Sequence, residues 1–147
     1  MKRNLGSVMV WLLAACLCLG VMPAQAQDQE VYVTVGYMKV PPGGGGQYME
    51  LEQLWRKIHQ VRIDEGSMAD WALYSLVFPG GSATEYNYAT VNGYSEYKHL
   101  NLFDFAGLVE KAGLGMSVNE VSGKTQAARD LVRSEVWYLI DYVQAEM

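Results

Sequence analysis

The segment MADWALYSLVFPGGSATEYNYATV, residues 68–91, decides the fold of this chain. Its two apolar runs, 68–78 and 84–91, flank a Pro-Gly-Gly sequence at 79–81, which predicts a strand, a turn and a second strand. In the first run, apolar side chains occupy both sets of alternating positions, so both faces of the sheet carry apolar residues. A sheet with one face in water would show polar residues at every second position. Both faces therefore need cover.

The segments before residue 68 predict a strand, a turn and a helix. Residues 30–40, EVYVTVGYMKV, are rich in valine and tyrosine and favour a strand. The following PPGGGG, residues 41–46, predicts a flexible turn rather than a phosphate-binding loop, because no Gly-Lys-Ser or Gly-Lys-Thr follows the glycines. From residue 47 to 65 apolar residues recur at three- and four-residue intervals, which indicates an amphipathic helix that ends at Gly66.

The segments after residue 93 predict helices and a last strand. Residues 94–115 have a broken helical pattern and predict one or two short helices. The stretch 125–147 keeps a helical period throughout, but VWYLIDYV at 136–143 is rich in β-branched and aromatic residues. We therefore predict a helix to about Arg133 and a strand at 136–143, with a continuous helix as the alternative.

This order of elements predicts an α+β fold, in which a ferredoxin-like, four-stranded antiparallel sheet carries its helices on one face. The other face of the sheet is apolar in this chain and needs a partner. A second copy of the same chain, which presents the same face, is the commonest partner for such a surface. We therefore expect a homodimer.

The N-terminus predicts a secretory signal peptide over residues 1–26. Two basic residues precede an apolar run at 8–22, which is about 15 residues long and shorter than the roughly 20 residues that cross a bilayer. The sequence Ala-Gln-Ala at 24–26 matches a cleavage site. Lipid attachment at Cys16 and a retained membrane anchor are the alternatives.

Cleavage at this site has consequences for the class of protein. Residues 27–147 would form a single domain, exported to the periplasm or the exterior, without stable membrane insertion. Loss of Cys16 and Cys18 would leave no disulfide and no thiol nucleophile. The whole chain has 11 basic and 16 acidic residues, and loss of Lys2 and Arg3 leaves 9 against 16, a formal charge of −7. This acidic balance argues against a nucleic-acid partner.

Several segments together carry a family resemblance: YVTVGYMKVPPG (32–43), WRKIHQVRIDEG (55–66), WALYSLVFPGG (71–81), YNYATV (86–91) and RDLVRSEVWYLIDYV (129–143). With them the chain resembles the dimeric α/β-barrel superfamily, and more narrowly an uncharacterised exported bacterial group within it. The superfamily includes cofactor-free monooxygenases, EthD-like and NIPSNAP-like proteins, haem-handling members and stress-response proteins. The resemblance therefore implies a fold and a dimer but no particular reaction.

Charged residues among apolar neighbours mark a candidate ligand site. Arg62 lies within the apolar stripe of the first helix, His59 lies at its border, and Asp141 shares a face of the last predicted strand with apolar residues. A buried charge needs a partner or a polar cavity. We expect these residues to line the cavity between sheet and helices where the superfamily usually holds ligands, with Arg62 binding an anionic group and His59 acting as acid or base. The expected walls are aromatic: Trp71, Tyr74, Tyr86 and Tyr88.

A purely structural alternative stands beside this hypothesis. In it Arg62 or Arg133 forms an ion pair with Asp141, and His59 is partly exposed. A further pair, Glu52 with Arg56 at i,i+4, is expected on the exposed surface of the first helix.

Other catalytic classes lack the residues that they need. The two histidines, His59 and His99, belong to no metal-binding motif, so we expect neither a metal nor a cofactor. A G-x-S-x-G sequence, the mark of a serine hydrolase, is missing from the sequence. We therefore expect an exported homodimer that binds a small hydrophobic or aromatic molecule, without an assignable reaction. The alternatives are a cofactor-free oxygenase or isomerase that uses His59 and a tyrosine, and a structural envelope protein with no ligand.

Overall fold

The computed structural model describes residues 31–81, 83–101 and 104–143, and the signal peptide predicted for 1–26 lies outside them. The described elements, in chain order, are β1 (Tyr32–Lys39), α1 (Gly45–Asp64), β2 (Asp70–Ser75), β3 (Tyr88–Tyr94), a 3-10 turn (Tyr97–Leu100), α2 (Phe105–Lys111), α3 (Val118–Ala128) and β4 (Asp130–Tyr138). Within these ranges, the helices are too short or too polar to cross a membrane.

The four strands form one antiparallel sheet in the order β2-β3-β1-β4, which is the ferredoxin-like order. Helix α1 packs on one face of this sheet, where its residues contact Met38 of β1, Leu73 of β2 and Tyr88 of β3. Helices α2 and α3 pack against α1 in a second apolar cluster around Ile58 and Val121. The predicted α+β class, with a four-stranded antiparallel sheet and helices on one face, is confirmed.

The sheet therefore has a helix face and an open face. Side chains alternate along a strand, so the neighbours of Met38, Leu73 and Tyr88 point away from the helices. The strand registers place the following residues together on the open face: Val33, Val35, Tyr37, Ala72, Tyr74, Ala89, Val91, Glu135 and Trp137. Tyr74 and Trp137 on this face are each 56% exposed. The described residues thus leave a largely apolar surface uncovered.

Strands β2 and β3 differ from the prediction at their ends. Strand β2 ends at Ser75 rather than at residue 78, which leaves Val77 and Phe78 exposed in the following loop. Strand β3 begins at Tyr88 rather than at residue 84, and it continues past the predicted end at 91 through Asn92 and Gly93, although Asn-Gly is a common turn sequence. Asn92 pairs with Thr34 across the sheet, and a Cβ atom at Gly93 would come within 2.8 Å of the Asp70 carboxylate oxygens. Gly93 therefore permits a close strand contact instead of making a turn.

The C-terminal half also differs from the prediction. The helix predicted from residue 125 to about 133 lies earlier, at Val118–Ala128, because Ser117 and Glu120 form a capping box that starts it. Strand β4 begins at Asp130 and pairs with β1 as far as Tyr138. The prediction of a strand at 136–143 is thus right only for its first three residues, and the continuous helix is wrong.

Helix α1 matches its predicted extent to within two residues, but one of its side chains points elsewhere than expected. Glu52, predicted to pair with Arg56 at the surface, is only 3% exposed. Its Oε1 lies 3.7 Å from the Nε of Arg129, at the junction of α3 and β4. The prediction was wrong because the side of α1 that carries Glu52 packs towards the start of β4, a long-range contact that helical spacing alone does not show.

Candidate functional site

The last turns of α1 bring two polar residues to the helix face of the sheet. His59 and Arg62 are three residues apart, so both side chains leave the same side of the helix. Arg62 is 4% exposed and donates hydrogen bonds to the Tyr94 hydroxyl at 3.5 Å and the His99 carbonyl oxygen at 3.2 Å. Its guanidinium carbon also lies 5.3 Å from the centre of the Tyr94 ring. Arg62 is therefore held at the end of β3.

His59 lies between two indole rings. Its ring centre is 5.6 Å from that of Trp55 and 5.6 Å from that of Trp71, with interplanar angles of 26° and 25°. Burial, together with the positive charge of Arg62, lowers the pKa of His59 from 6.5 to about 4. His59 is therefore neutral at neutral pH. One of its ring nitrogens then donates a hydrogen bond and the other accepts one.

The strand register brings two more polar side chains beside His59. Trp71 on β2 and Asn92 on β3 are directly opposed, and Asn92 is opposed to Thr34 on β1. The Asn92 amide nitrogen donates to the Thr34 hydroxyl at 2.8 Å. Since Trp71 also contacts His59, these side chains form one cluster on the helix face. We call this cluster, which comprises His59, Arg62, Trp71, Asn92 and Tyr94, the His59 site.

Three buried polar atoms of the His59 site have no hydrogen-bond partner among the described residues: His59 Nδ1, Trp71 Nε1 and Asn92 Oδ1. A fourth, His99 Nδ1, belongs to the residue whose carbonyl accepts from Arg62. Buried polar atoms are nearly always hydrogen-bonded in folded proteins, and each unmade bond costs about 1–3 kcal/mol. The concentration of such atoms here indicates a place where a bound molecule or ordered water supplies the missing bonds.

The structure brings His59, Arg62 and Trp71 together, but it places the other predicted site residues elsewhere. Tyr74 lies on the open face. Tyr86 contacts Tyr37, which also belongs to the open face, with 4.7 Å between ring centres. Tyr88 is on the helix face but packs against Tyr48, at the other end of β3 from Arg62.

Asp141 is an exposed residue beyond the end of β4, so its predicted position inside the last strand is wrong. The strand stops pairing at Tyr138, and only the amide of Leu139 continues the ladder, by donating to Val31. The described contacts of Arg62 are with Tyr94 and His99, while Arg133 pairs with Glu135 at 3.0 Å. The structure therefore gives no support to the ion pairs that were expected with Asp141.

Sequence reasoning missed Asn92 and Tyr94. Asn-Gly is a common turn sequence, and it hid the fact that β3 continues past Val91. The available signal was the period of two: Tyr88, Thr90, Asn92 and Tyr94 continue one alternating set along the strand. In the described ranges, histidine, cysteine, aspartate and glutamate form no group of three or more that could hold a metal ion.

Comparisons with solved structures give a distant likeness in fold. No family model matches the chain, and no curated protein matches it. The fold is similar to the crystal structure of a variant of SnoaB, a cofactor-independent oxygenase from Streptomyces nogalater, with a TM-score of 0.38 and 9% sequence identity. The match covers 79% of this chain and 96% of SnoaB. A likeness this distant says nothing about the activity of the chain.

Proposed function

We propose that this chain binds a small, mainly apolar or aromatic molecule at the His59 site. The observation that carries the proposal is the group of three buried, unpartnered polar atoms on His59, Trp71 and Asn92, which belong to three different elements but lie in one cluster. Aromatic rings surrounding a few polar groups are typical of small-molecule sites. Left without partners, these atoms would together cost several kcal/mol of stability.

The polar atoms also restrict the chemistry of the molecule. Trp71 Nε1 is a donor, Asn92 Oδ1 is an acceptor, and the two residues are directly opposed in adjacent strands, where side chains lie about 5 Å apart. A ligand that presents an acceptor beside a donor, such as a hydroxyketone, an amide or a protonated acid, fits this pair. The flat stack of Trp55, His59 and Trp71 favours a planar body.

The enzyme alternative, in which His59 and a tyrosine act on the bound molecule, would use the same site. Tyr94 is the tyrosine that we included in the His59 site, and its hydroxyl accepts from Arg62 at 3.5 Å. A histidine with a pKa of about 4 is a weak base at neutral pH, so proton abstraction by His59 would be slow. Binding alone requires no such step, and we therefore favour it.

The first test is native mass spectrometry of the protein purified from cells that express the whole sequence, with residues 1–26 included. We expect the folded protein to carry an additional small mass. The variants Trp71→Phe, which keeps an aromatic ring but lacks the N–H, and Asn92→Leu should each lower the retained fraction, consistent with a loss of about tenfold in affinity. Tyr74→Phe, on the open face, is the matched control and should retain the mass.

Two outcomes would contradict the binding proposal. One is a wild-type protein without additional mass whose crystal structure shows only ordered water bonded to Trp71 Nε1 and Asn92 Oδ1. The other is retention of the same mass by both site variants. Conversion of the retained molecule during incubation with oxygen, abolished by His59→Gln, would support the enzyme alternative instead.

We further propose that two copies of the chain associate through their open faces. The support is the row of valines at 33, 35 and 91 between the half-exposed Tyr74 and Trp137. Two acidic residues lie on this face. Glu135 accepts from Tyr37 Oη at 3.2 Å and from Trp137 Nε1 at 3.0 Å, and it pairs with Arg133. Asp70 lies exposed on the edge strand β2, opposite Gly93. Burial of the valine row against a second copy would therefore leave Glu135 with its partners.

Light scattering after size-exclusion chromatography tests this association. We expect a dimer for the wild-type chain and a monomer for Val35→Glu, which places a charge in the centre of the open face. Ala106→Glu, at an exposed position of α2, is the matched control and should stay dimeric. A wild-type monomer at micromolar concentration would refute the proposed dimer and leave the ligand proposal standing.

A further inference from the structure

The imidazole of His59 belongs to a continuous stack of four aromatic rings. Phe105 and Trp55 lie 5.5 Å apart with an interplanar angle of 9°, and Trp55, His59 and Trp71 follow at 5.6 Å intervals with angles of 26° and 25°. Trp55 and His59 are one helical turn apart on α1, so their contact is local. The Trp55 indole is therefore one of the two rings that enclose the imidazole of His59.

A hydrogen bond from another helix fixes that indole. Trp55 Nε1 donates to the Thr125 hydroxyl oxygen at 3.1 Å, and this hydroxyl donates in turn to the Val121 carbonyl oxygen at 2.8 Å. A threonine hydroxyl has a single hydrogen, and Val121 takes it. A lone pair of the Thr125 oxygen then accepts the hydrogen of the indole N–H. The hydroxyl cannot donate to Trp55, so the bond has one direction.

We propose that Thr125, on α3, is a positioning residue for His59. Its hydroxyl holds the Trp55 indole, and the indole holds the imidazole so that Nδ1 faces the same cluster as Trp71 Nε1 and Asn92 Oδ1. Thr125 contacts no polar atom of the His59 site itself, as far as the described residues show. Its effect on ligand binding rests on the function proposed above, but its effect on His59 does not.

Nitrogen-15 NMR of the imidazole tests the proposal without any ligand. In the wild-type protein we expect one tautomer of His59 and a titration midpoint far below the ordinary 6.5. In Thr125→Val, which keeps the shape but removes the hydroxyl, the tautomers should mix and the midpoint should rise towards 6.5, because an imidazole that is less firmly held is better hydrated. Thr125→Ser restores the hydroxyl and should behave as the wild type does. Ser122→Ala, a hydroxyl removed from the same helix, is the matched control.

The variants separate positioning from simple stabilisation. A Thr125→Val protein that melts earlier but keeps the wild-type tautomer and midpoint of His59 would overturn the proposal, and so would a failure of Thr125→Ser to restore them. If Thr125→Val does not fold, Trp55→Phe decides, because it keeps a ring in the stack and loses the N–H bond to Thr125. An unchanged His59 in Trp55→Phe would also overturn the proposal. A disturbed His59 in Thr125→Val, together with a wild-type protein that retains no small mass, would support the positioning role while refuting the proposed binding function.

Discussion

Helix α1 carries a buried polar cluster in each of its halves, and the two clusters handle charge in opposite ways. In the first half, the carboxylate of Glu52 faces the guanidinium of Arg129, 3.7 Å away. In the second half, the guanidinium of Arg62 lies near an imidazole that burial and the same positive charge keep neutral. The first cluster joins opposite charges from distant elements, whereas the second places a cation beside neutral polar groups. The first links α1 to the start of β4. The second contains the polar atoms at which we propose that a ligand binds.

The two clusters should also respond to pH in opposite directions. Burial raises the pKa of Glu52 despite the opposing effects of Tyr48 and Arg129, so the folded protein holds this proton more readily than the unfolded chain does. Its contribution to stability is present below the ordinary carboxyl pKa and is lost as pH rises through the raised one. Burial lowers the pKa of His59, so its contribution is present above pH 6.5 and is lost as pH falls towards 4.

The largest expected effect comes from breaking the first cluster on one side. Arg129→Met strands the Glu52 carboxylate in the interior and should lower the free energy of unfolding at pH 7 by about 3–5 kcal/mol, as measured by urea denaturation. The double variant Glu52→Leu with Arg129→Met should recover most of this loss, because no charge is then left alone. Arg56→Met, at an exposed position of the same helix, should change stability by less than about 0.5 kcal/mol. An equal loss in the single and double variants would show that the arginine acts through packing alone.

Acidification is expected to destabilise the protein through the second cluster by nearly as much as Arg129→Met does through the first. Between pH 6.5 and about 4, the unfolded chain binds a proton at His59 and the folded protein does not. This difference should lower the free energy of unfolding by about 3 kcal/mol. Urea denaturation at a series of pH values should therefore show a smaller loss in His59→Gln than in the wild type over this range. Parallel profiles for the two proteins would mean that His59 titrates normally in the folded state.

Removal of Arg62 tests the link between the charge and the neutral histidine. Arg62→Met loses the hydrogen bonds to Tyr94 and His99 and should lower stability by about 1–3 kcal/mol. The His59 midpoint, followed by NMR, should rise without reaching 6.5, because burial is the larger cause of its shift and Arg62 the smaller. A midpoint that does not move would mean that burial alone accounts for it.

The same comparison shows what the sequence could predict. The period of three and four residues along α1 placed Arg62 in an apolar stripe correctly, because that property depends on neighbours in the sequence. The partners of each cluster depend on which strands pair. Arg129, Asn92 and Tyr94 come from other elements, and no local pattern connects them to α1. Glu52 was therefore assigned a local partner, Arg56, which it does not use.

The errors at the strand ends have a similar physical origin. Asn-Gly at 92–93 favours a turn in isolation, but pairing with β1 and β2 keeps both residues extended. The capping box at Ser117 and Glu120 was a readable start signal, whereas the apolar period that followed it gave no end point. Long-range pairing with β1 decides where β4 begins, and Asp141 falls beyond the pairing because the partner strand has already begun at Tyr32.

The smallest expected effect is the sharpest test of how the first cluster is built. Glu52→Gln keeps the shape of the side chain and mimics its protonated form, so it removes both the burial cost of the carboxylate and its attraction to Arg129. Because these two effects oppose each other, stability at pH 7 should change by less than about 1 kcal/mol. The Arg129 side chain is largely buried, with 12% exposed, but the carbonyl oxygen of the glutamine can still accept from its guanidinium. The variant should also lack the stability that the wild type gains at Glu52 on acidification, so the wild-type profile should rise relative to that of Glu52→Gln as pH falls.

A loss comparable to that of Arg129→Met would show instead that the ion pair itself, and not the avoidance of a stranded charge, holds α1 to the start of β4.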